Sequence, residues 1–279
     1  MIDLHLHTTA SDGRSSPEQV VRAARLAGIQ VLAVTDHDTI AGLDAVAAAC
    51  AAQGIEWVPG VEITSMLEQA DVHVLGYFID HRSPVLTTFL SAQLVDRLRR
   101  IRDMIQKLRA LGIDIDADTL FDGHDRSPAG WIGRPLLARA LVGRHVVRST
   151  REAFDLYLAE GRPAWVPRRA PSPADVIALI HQAGGIAALA HPGLMGHDEW
   201  IASIAASGLD ALEVYYAEHS PQLTTHYRIL AERLDLAMSG GSDYHGDPGY
   251  GPARPGSVSL PDDAFEGLKR RLGKVRRVG

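Results

Sequence analysis

Short apolar runs alternate with longer amphipathic stretches through the first ninety residues. Residues 2–7, 31–35, 57–64 and 72–79 have the length and composition of strands, while residues 17–27 and 43–53 carry apolar side chains at helical spacing. Such alternation builds a parallel barrel or an open sheet. The first helix has a readable start: Ser16 suits the N-cap, Pro17 the first helical position, and Gln19 the third position of a capping box. Gly28 ends it.

From about residue 87 the period becomes purely helical. Leu94, Leu98, Ile101, Ile105 and Leu108 share one face, with Arg97, Arg100 and Asp103 off it. Helical stretches follow at 134–142 and 151–158, and no strand pattern returns before residue 185. Residues 90–165 are therefore expected to be a helical insertion capping the active site of a domain made from residues 1–89 and 166–279. That domain resumes with a helix at 174–182, strands at 185–190 and 209–216, a helix at 222–234 and a strand at 236–240. An Arg-rich final helix follows Lys269.

Composition narrows the chemistry. With 46% hydrophobic residues over 279 positions, the chain can bury a sizeable core, and no apolar run nears the roughly 20 residues of a membrane span. A strand pattern from Ile2 leaves no room for a secretory leader, so the expected location is the cytoplasm. Cys50 is the only cysteine, which excludes an intrachain disulfide and a thiolate metal cluster. The formal charge of -6 disfavours broad binding to long nucleic acid. The only lysines are Lys107, Lys269 and Lys274, none on an expected strand, so a carboxylate bridging two metals must be Asp or Glu.

His5 and His7 lie two apart on the first strand and so project from one face. Taken alone, such a pair is often just a polar strand edge. Polar groups then recur where later strands end: Asp36, His37 and Asp38, Glu62, His73, His191, and Asp243 with His245. Ends of parallel strands are where barrel active sites are built. Asp36 and Asp38 also read as turn or capping residues. As a set, imidazole and carboxylate suit Zn²⁺, Mn²⁺ or Fe²⁺.

The series His5-Leu6-His7, Asp12, Thr35-Asp36-His37-Asp38, Gly60-Val61-Glu62, His73, Ala190-His191-Pro192 and Ser242-Asp243-Tyr244-His245 resembles the PHP (polymerase and histidinol phosphatase) family. The resemblance implies an α/β fold, a distorted (β/α)₇ TIM-like barrel with the helical insertion. It also implies two or three divalent ions, Mn²⁺ foremost, with Zn²⁺, Fe²⁺ or Mg²⁺ as alternatives. By position, His5, His7, Glu62 and Asp243 would hold the first ion and Glu62, His73 and His191 the second, with Glu62 as the bridge. Asp12, His37 and His245 would form a third site facing substrate. Many members have His where this chain has Asp12, which in Ser11-Asp12-Gly13 also reads as a turn residue.

Length, insertion and the Gly133-Arg134-Pro135 segment place the chain nearest the stand-alone members that act on nucleotides. The implied reaction is hydrolysis of a phosphate monoester, the 3′-phosphate of a nucleoside 3′,5′-bisphosphate, by metal-activated hydroxide. Glu62, His191, Asp243 and His37 are the catalytic candidates. His197 is a candidate acid and substrate-binding residue, though it reads more simply as an exposed loop residue. Arg134, opening an apolar helix at Pro135, is a candidate phosphate ligand; it could also pair with a surface carboxylate such as Asp125. Competing readings are a 5′-exonuclease on short RNA, using Arg97, Arg99, Arg100 and Arg102 as a basic face, a histidinol or other small-metabolite phosphatase, and a noncatalytic PHP module. No membrane and no obligatory protein partner is expected.

Overall fold

The computed structural model describes residues 1–121, 132–246 and 254–278. Asp125 lies outside them. The chain divides into two compact units, residues 1–88 with 170–279, and residues 89–169.

The first unit is mixed α/β. Strands β1 (Ile2–Asp3), β2 (Val31–Leu32) and β3 (Glu56–Trp57) form a parallel three-stranded sheet. β4 (Gly60–Leu67), β5 (Ala70–Tyr77), β6 (Ile186–Leu189), β7 (Ala211–Tyr216) and β8 (Ala237–Gly241) form a second sheet in that order. The expectation of uniformly parallel strands is corrected here. β4 pairs antiparallel with β5, and β5 with β6; only β6 to β8 run parallel. Glu68 and Gln69 between β4 and β5 both have positive φ, 47° and 72°, so two residues make a mirror-image turn that returns the chain beside itself. The described strands form two sheets and not a closed barrel. Backbone bonds nevertheless run between the sheets: Leu4 donates to Gly240 and Asp243 to His5, while Glu62 donates to Asp36.

The core of this unit mixes large and very small side chains, with Leu75, Tyr77 and Phe265 packed among Ala188, Ala190 and Ala211. The small residues let backbones approach. A Cβ on Gly241 would lie 2.4 Å from His5 N and 2.5 Å from its Cβ, so glycine is what allows β8 to seat against the first strand segment. The expected N-terminal capping box is present: Ser16 accepts from the Gln19 N–H, and the Gln19 side chain accepts from the Ser16 N–H. Helix Pro173–Gln182 repeats the device with Ser172 and Asp175.

The second unit is helical. Its core joins Ile101, Met104, Ile105 and Leu108 of helix Pro84–Ala110 to Phe121 and to Leu136, Leu137 and Leu141 of helix Arg134–Gly143. Leu94, expected on the buried face, is 44% exposed, whereas Leu98 packs partly against the core. The stretch expected as one helix at 151–158 begins as Thr150–Ala153 and widens into a π-turn at Phe154–Leu158. No described helix is long and apolar enough to cross a membrane.

Candidate metal centre

Five imidazoles of the sequence series converge on Glu62. The carboxylate is fully buried, and its Oε2 lies 3.1 Å from His5 Nε2, 3.2 Å from His7 Nε2 and 3.2 Å from His37 Nδ1. Oε1 lies 2.9 Å from His73 Nδ1 and 3.1 Å from His191 Nε2. The antiparallel turn explains His73. Because Thr64 pairs with His73, Glu62 and His73 are diagonal neighbours on one face of the β4–β5 ribbon.

Asp243 completes the centre, its Oδ1 3.1 Å from His7 Nε2 and 3.3 Å from His5 Nε2. Asp12 Oδ1 lies 3.3 Å from His245 Nε2 and 3.7 Å from His7 Nδ1, and the His7 and His245 rings stack at 4.1 Å. Among the described residues, three groups have donor atoms clustered closely enough to hold an ion: His5, His7 and Asp243; His37, Glu62 and His73; and His7, Asp12, His37 and His245. His37 joins the second group, and His7 belongs to two. His197 is in none of them: its side chain is 43% exposed, bonded to Glu199 at 2.8 Å and stacked on Trp200 at 3.9 Å. Arg134, in the helical unit, lies over the Phe154 ring at 5.6 Å. It is the first residue of its helix, with Pro135 second.

The donor set fits divalent cations. Two ligand atoms each about 2.1 Å from one ion stand about 3.0 Å apart at right angles and about 3.4 Å apart at the tetrahedral angle, close to the contacts above except that of Asp12 with His7 at 3.7 Å. As hydrogen bonds they are poorly satisfied: both ring nitrogens of His7, Nδ1 of His73 and Oδ1 of Asp243 are buried without a hydrogen-bond partner among the described residues.

The electrostatics agree. Burial disfavours the charged form of His5, but Glu213, Asp243 and Glu62 overcome it and hold the pKa well above the ordinary value. His7 is likewise opposed by burial and raised to about 10 by Asp243 and Glu62. His37 goes the other way, burial lowering it to about 3. Burial pushes Glu62, Asp243 and Asp12 upward, yet the surrounding imidazoles hold all three well below the carboxylate range. The site is a well for positive charge, which protons fill when metal ions do not.

The supporting residues are pinned in turn. Asp36 accepts from Thr8 N, Thr8 Oγ1 and Ser11 Oγ at 2.6–2.7 Å, fixing the loop that carries Asp12. Asp38 accepts from Thr64 N and Oγ1, so both aspartates tie distant segments together and neither caps a helix. Asp38, His191 and Asp243 have φ of 51°, 25° and 53°, backbone conformations that cost energy for these residue types. Glu213, Tyr216 and His219 carried no sequence signal. Glu213 meets His5 Nδ1 at 2.9 Å, the Tyr216 hydroxyl donates to Asp243 Oδ2 at 3.1 Å, and His219 Nε2 accepts from Gly193 N just after His191.

Imidazole and carboxylate groups that overlap at His7 and His37, around the buried Glu62, are the donor set of a metal-dependent hydrolase. Comparison with known proteins narrows that class. Residues 3–93 match the PHP domain family. The chain is 37% identical to a 3′,5′-nucleoside bisphosphate phosphatase of Chromobacterium violaceum over 257 residues, covering 90% of this chain and 88% of that protein. It is 35% identical over 253 residues to the 5′-3′ exoribonuclease Rnm of Escherichia coli, covering 87% and 84%. A structure from Bifidobacterium adolescentis described as a metal-dependent phosphoesterase superposes with a TM-score of 0.83 at 31% identity, over 97% of this chain and 96% of that one. The chain belongs to the PHP domain family and is a metal-dependent phosphoesterase.

Proposed function

We propose that the protein removes the 3′-phosphate from a nucleoside 3′,5′-bisphosphate, using Mn²⁺ held by the Glu62-centred cluster. The observation that carries this reading is the cluster itself, in a chain that is 37% identical, over 90% of its length, to a protein named as a 3′,5′-nucleoside bisphosphate phosphatase. In this reading His5, His7 and Asp243 would hold a first ion, His73 and His191 a second and Asp12, His37 and His245 a third, with Glu62 as a ligand shared by the first two. When bound, the ions supply positive charge to the phosphoryl oxygens and lower the pKa of water. The residues supply orientation. His37, with its pKa lowered to about 3, is neutral near pH 7 and keeps a lone pair for a cation or a proton. We also read the two sheets, with their connecting backbone bonds, as the halves of a distorted barrel.

The second reading, a 5′-3′ exonuclease on short RNA, is favoured by the 35% identity to Rnm. It is weakened by the surroundings of the arginines expected to form a basic face. Arg99 is paired with Asp96 and Asp103, Arg100 donates to the Val166 carbonyl, and Arg102 lies over Phe121. Product analysis with Mn²⁺, following inorganic phosphate from adenosine 3′,5′-bisphosphate and histidinol phosphate and released mononucleotide from short 5′-phosphorylated RNA, decides between them. The proposal expects the highest kcat/KM on the bisphosphate; a higher value on the RNA would overturn it in favour of the exonuclease.

A further inference from the structure

Strand β7 contributes no residue to the three ligand groups, yet two of its side chains end on members of them. Glu213 is fully buried; its Oε1 lies 2.9 Å from His5 Nδ1 and its Oε2 accepts the His191 backbone N–H at 2.6 Å. Three residues on, the Tyr216 hydroxyl donates to Asp243 Oδ2 at 3.1 Å. In an unbroken strand, residues three apart point to opposite faces. Here they do not, because the pairing with β8 slips: Glu213 stands opposite Ser239 and Tyr215 opposite Gly240, leaving Val214 as an extra residue. A bulge resets the alternation and re-aims the side chains beyond it. Gly240 permits the slip, since a Cβ there would lie 2.4 Å from the Tyr215 carbonyl oxygen.

We infer that β7 is the orienting strand of the metal centre, with Glu213 and Tyr216 as positioning residues that decide which donor atoms of His5 and Asp243 face the ions. A carboxylate at Nδ1 of His5 takes that N–H and leaves the Nε2 lone pair toward the cluster, where Nε2 lies 3.1 Å from Glu62 and 3.3 Å from Asp243. The Tyr216 hydroxyl occupies Oδ2 of Asp243. Oδ1, which has no hydrogen-bond partner among the described residues, is left facing His5 and His7. Through its second oxygen, Glu213 also holds the backbone of His191 in its unusual conformation, so one carboxylate orients residues of two proposed ion sites. An amide cannot do both, having one acceptor oxygen where the carboxylate has two.

The inference rests on reading the cluster as a metal centre. Its test is calorimetric titration of Mn²⁺ into metal-stripped wild type, Tyr216→Phe and Glu213→Gln, with thermal unfolding of each stripped protein. Loss of an outer partner of a ligand should weaken Mn²⁺ binding about 10- to 100-fold. For Tyr216→Phe the stripped protein should keep its Tm within about 4 °C, the scale of a single lost hydrogen bond in a chain of this size. Should Glu213→Gln not fold, Tyr216→Phe alone decides. Mn²⁺ affinity within twofold of wild type in Tyr216→Phe would overturn the inference while leaving the metal-centre reading intact. Weaker binding accompanied by a large fall in the stripped Tm would mark a merely structural role and overturn it equally. Wild type that takes up no Mn²⁺ would remove the metal centre and this inference together.

Discussion

Replacing Glu62 by Gln keeps the shape of the side chain and removes the charge on which five imidazoles converge. One of its two oxygens becomes an NH₂ group that must face either His73 and His191 or His5, His7 and His37, all within 3.2 Å of the present carboxylate. A donor cannot bind a cation, so one proposed ion loses its bridging ligand outright and the other keeps only a neutral carbonyl. At an effective dielectric of about 20, unit charges about 4 Å apart interact by about 4 kcal/mol. The surviving amide oxygen recovers part of this, which leaves a floor of about 2.7 kcal/mol, or about 100-fold in each Kd. Calorimetric titration with Mn²⁺ should therefore show both binding steps weakened in Glu62→Gln. His73→Ala, which removes a ligand from one proposed ion only, should weaken one step. Elemental analysis and phosphate release should fall in parallel with the Kd values. A Glu62→Gln protein with near-native metal content and turnover would refute the bridge.

Purified and reconstituted with Mn²⁺, the protein should hold at least two ions per chain; fewer than one by elemental analysis would sink the cluster reading. Without metal, the raised pKa of His7, about 10 against an unfolded value of about 6.5, contributes stability that is complete below about pH 6.5 and is lost as the pH climbs toward 10. The stripped Tm should decline across that window and saturating Mn²⁺ should reverse the trend, since metal binds neutral imidazole; a flat profile would contradict it. Gly241→Ala should cost about 3 kcal/mol or more in urea unfolding, because the new Cβ meets backbone of His5 that cannot yield; a loss under about 0.5 kcal/mol would show the approach to be soft. Arg134→Lys, if Arg134 contacts the second phosphate of a bisphosphate, should lose roughly 1.5 to 3 kcal/mol in kcat/KM on that substrate and much less on the monophosphate. Equal small losses on both would leave Arg134 a structural residue of its own unit.

The candidate ligand series was legible because metal donors are few in kind, so His5, His7, Glu62, His73, His191 and Asp243 stand out from the sequence, although Glu62 and His73 lie inside β4 and β5 and not at strand ends. Helix starts were legible for a similar reason: Ser16 and Pro17 act locally. Strand direction was not. Glu68 and Gln69 turn the chain with two positive φ angles but lack the Asn-Gly chemistry that normally marks such a turn, so β4 and β5 read as two crossover strands. Glu213 and Tyr216 were hidden by the bulge at Val214, because a reading based on strict alternation assigns them to opposite faces. Leu94 misled in another way. Its helix is buried on either side of it, at Leu86 and Leu90 before and at Ile101 to Leu108 after, and regular spacing does not show that the turn carrying Leu94 is left open.

The backbone bond from Leu4 to Gly240, which joins the first strand segment to the last, also sets when this centre can exist. During synthesis His5, His7, Asp12, His37, Glu62 and His73 emerge early. His191, Asp243 and His245 emerge only after the whole helical unit has been made, on the order of ten seconds or more later at ordinary elongation rates. Until then the nascent chain carries an incomplete and imidazole-rich half of the site, with the seat against β8 still vacant. Metal uptake by the proposed centre would thus wait until His245 has been made and β8 has paired with the first strand segment, a contact whose high order makes it one of the slower ones to form.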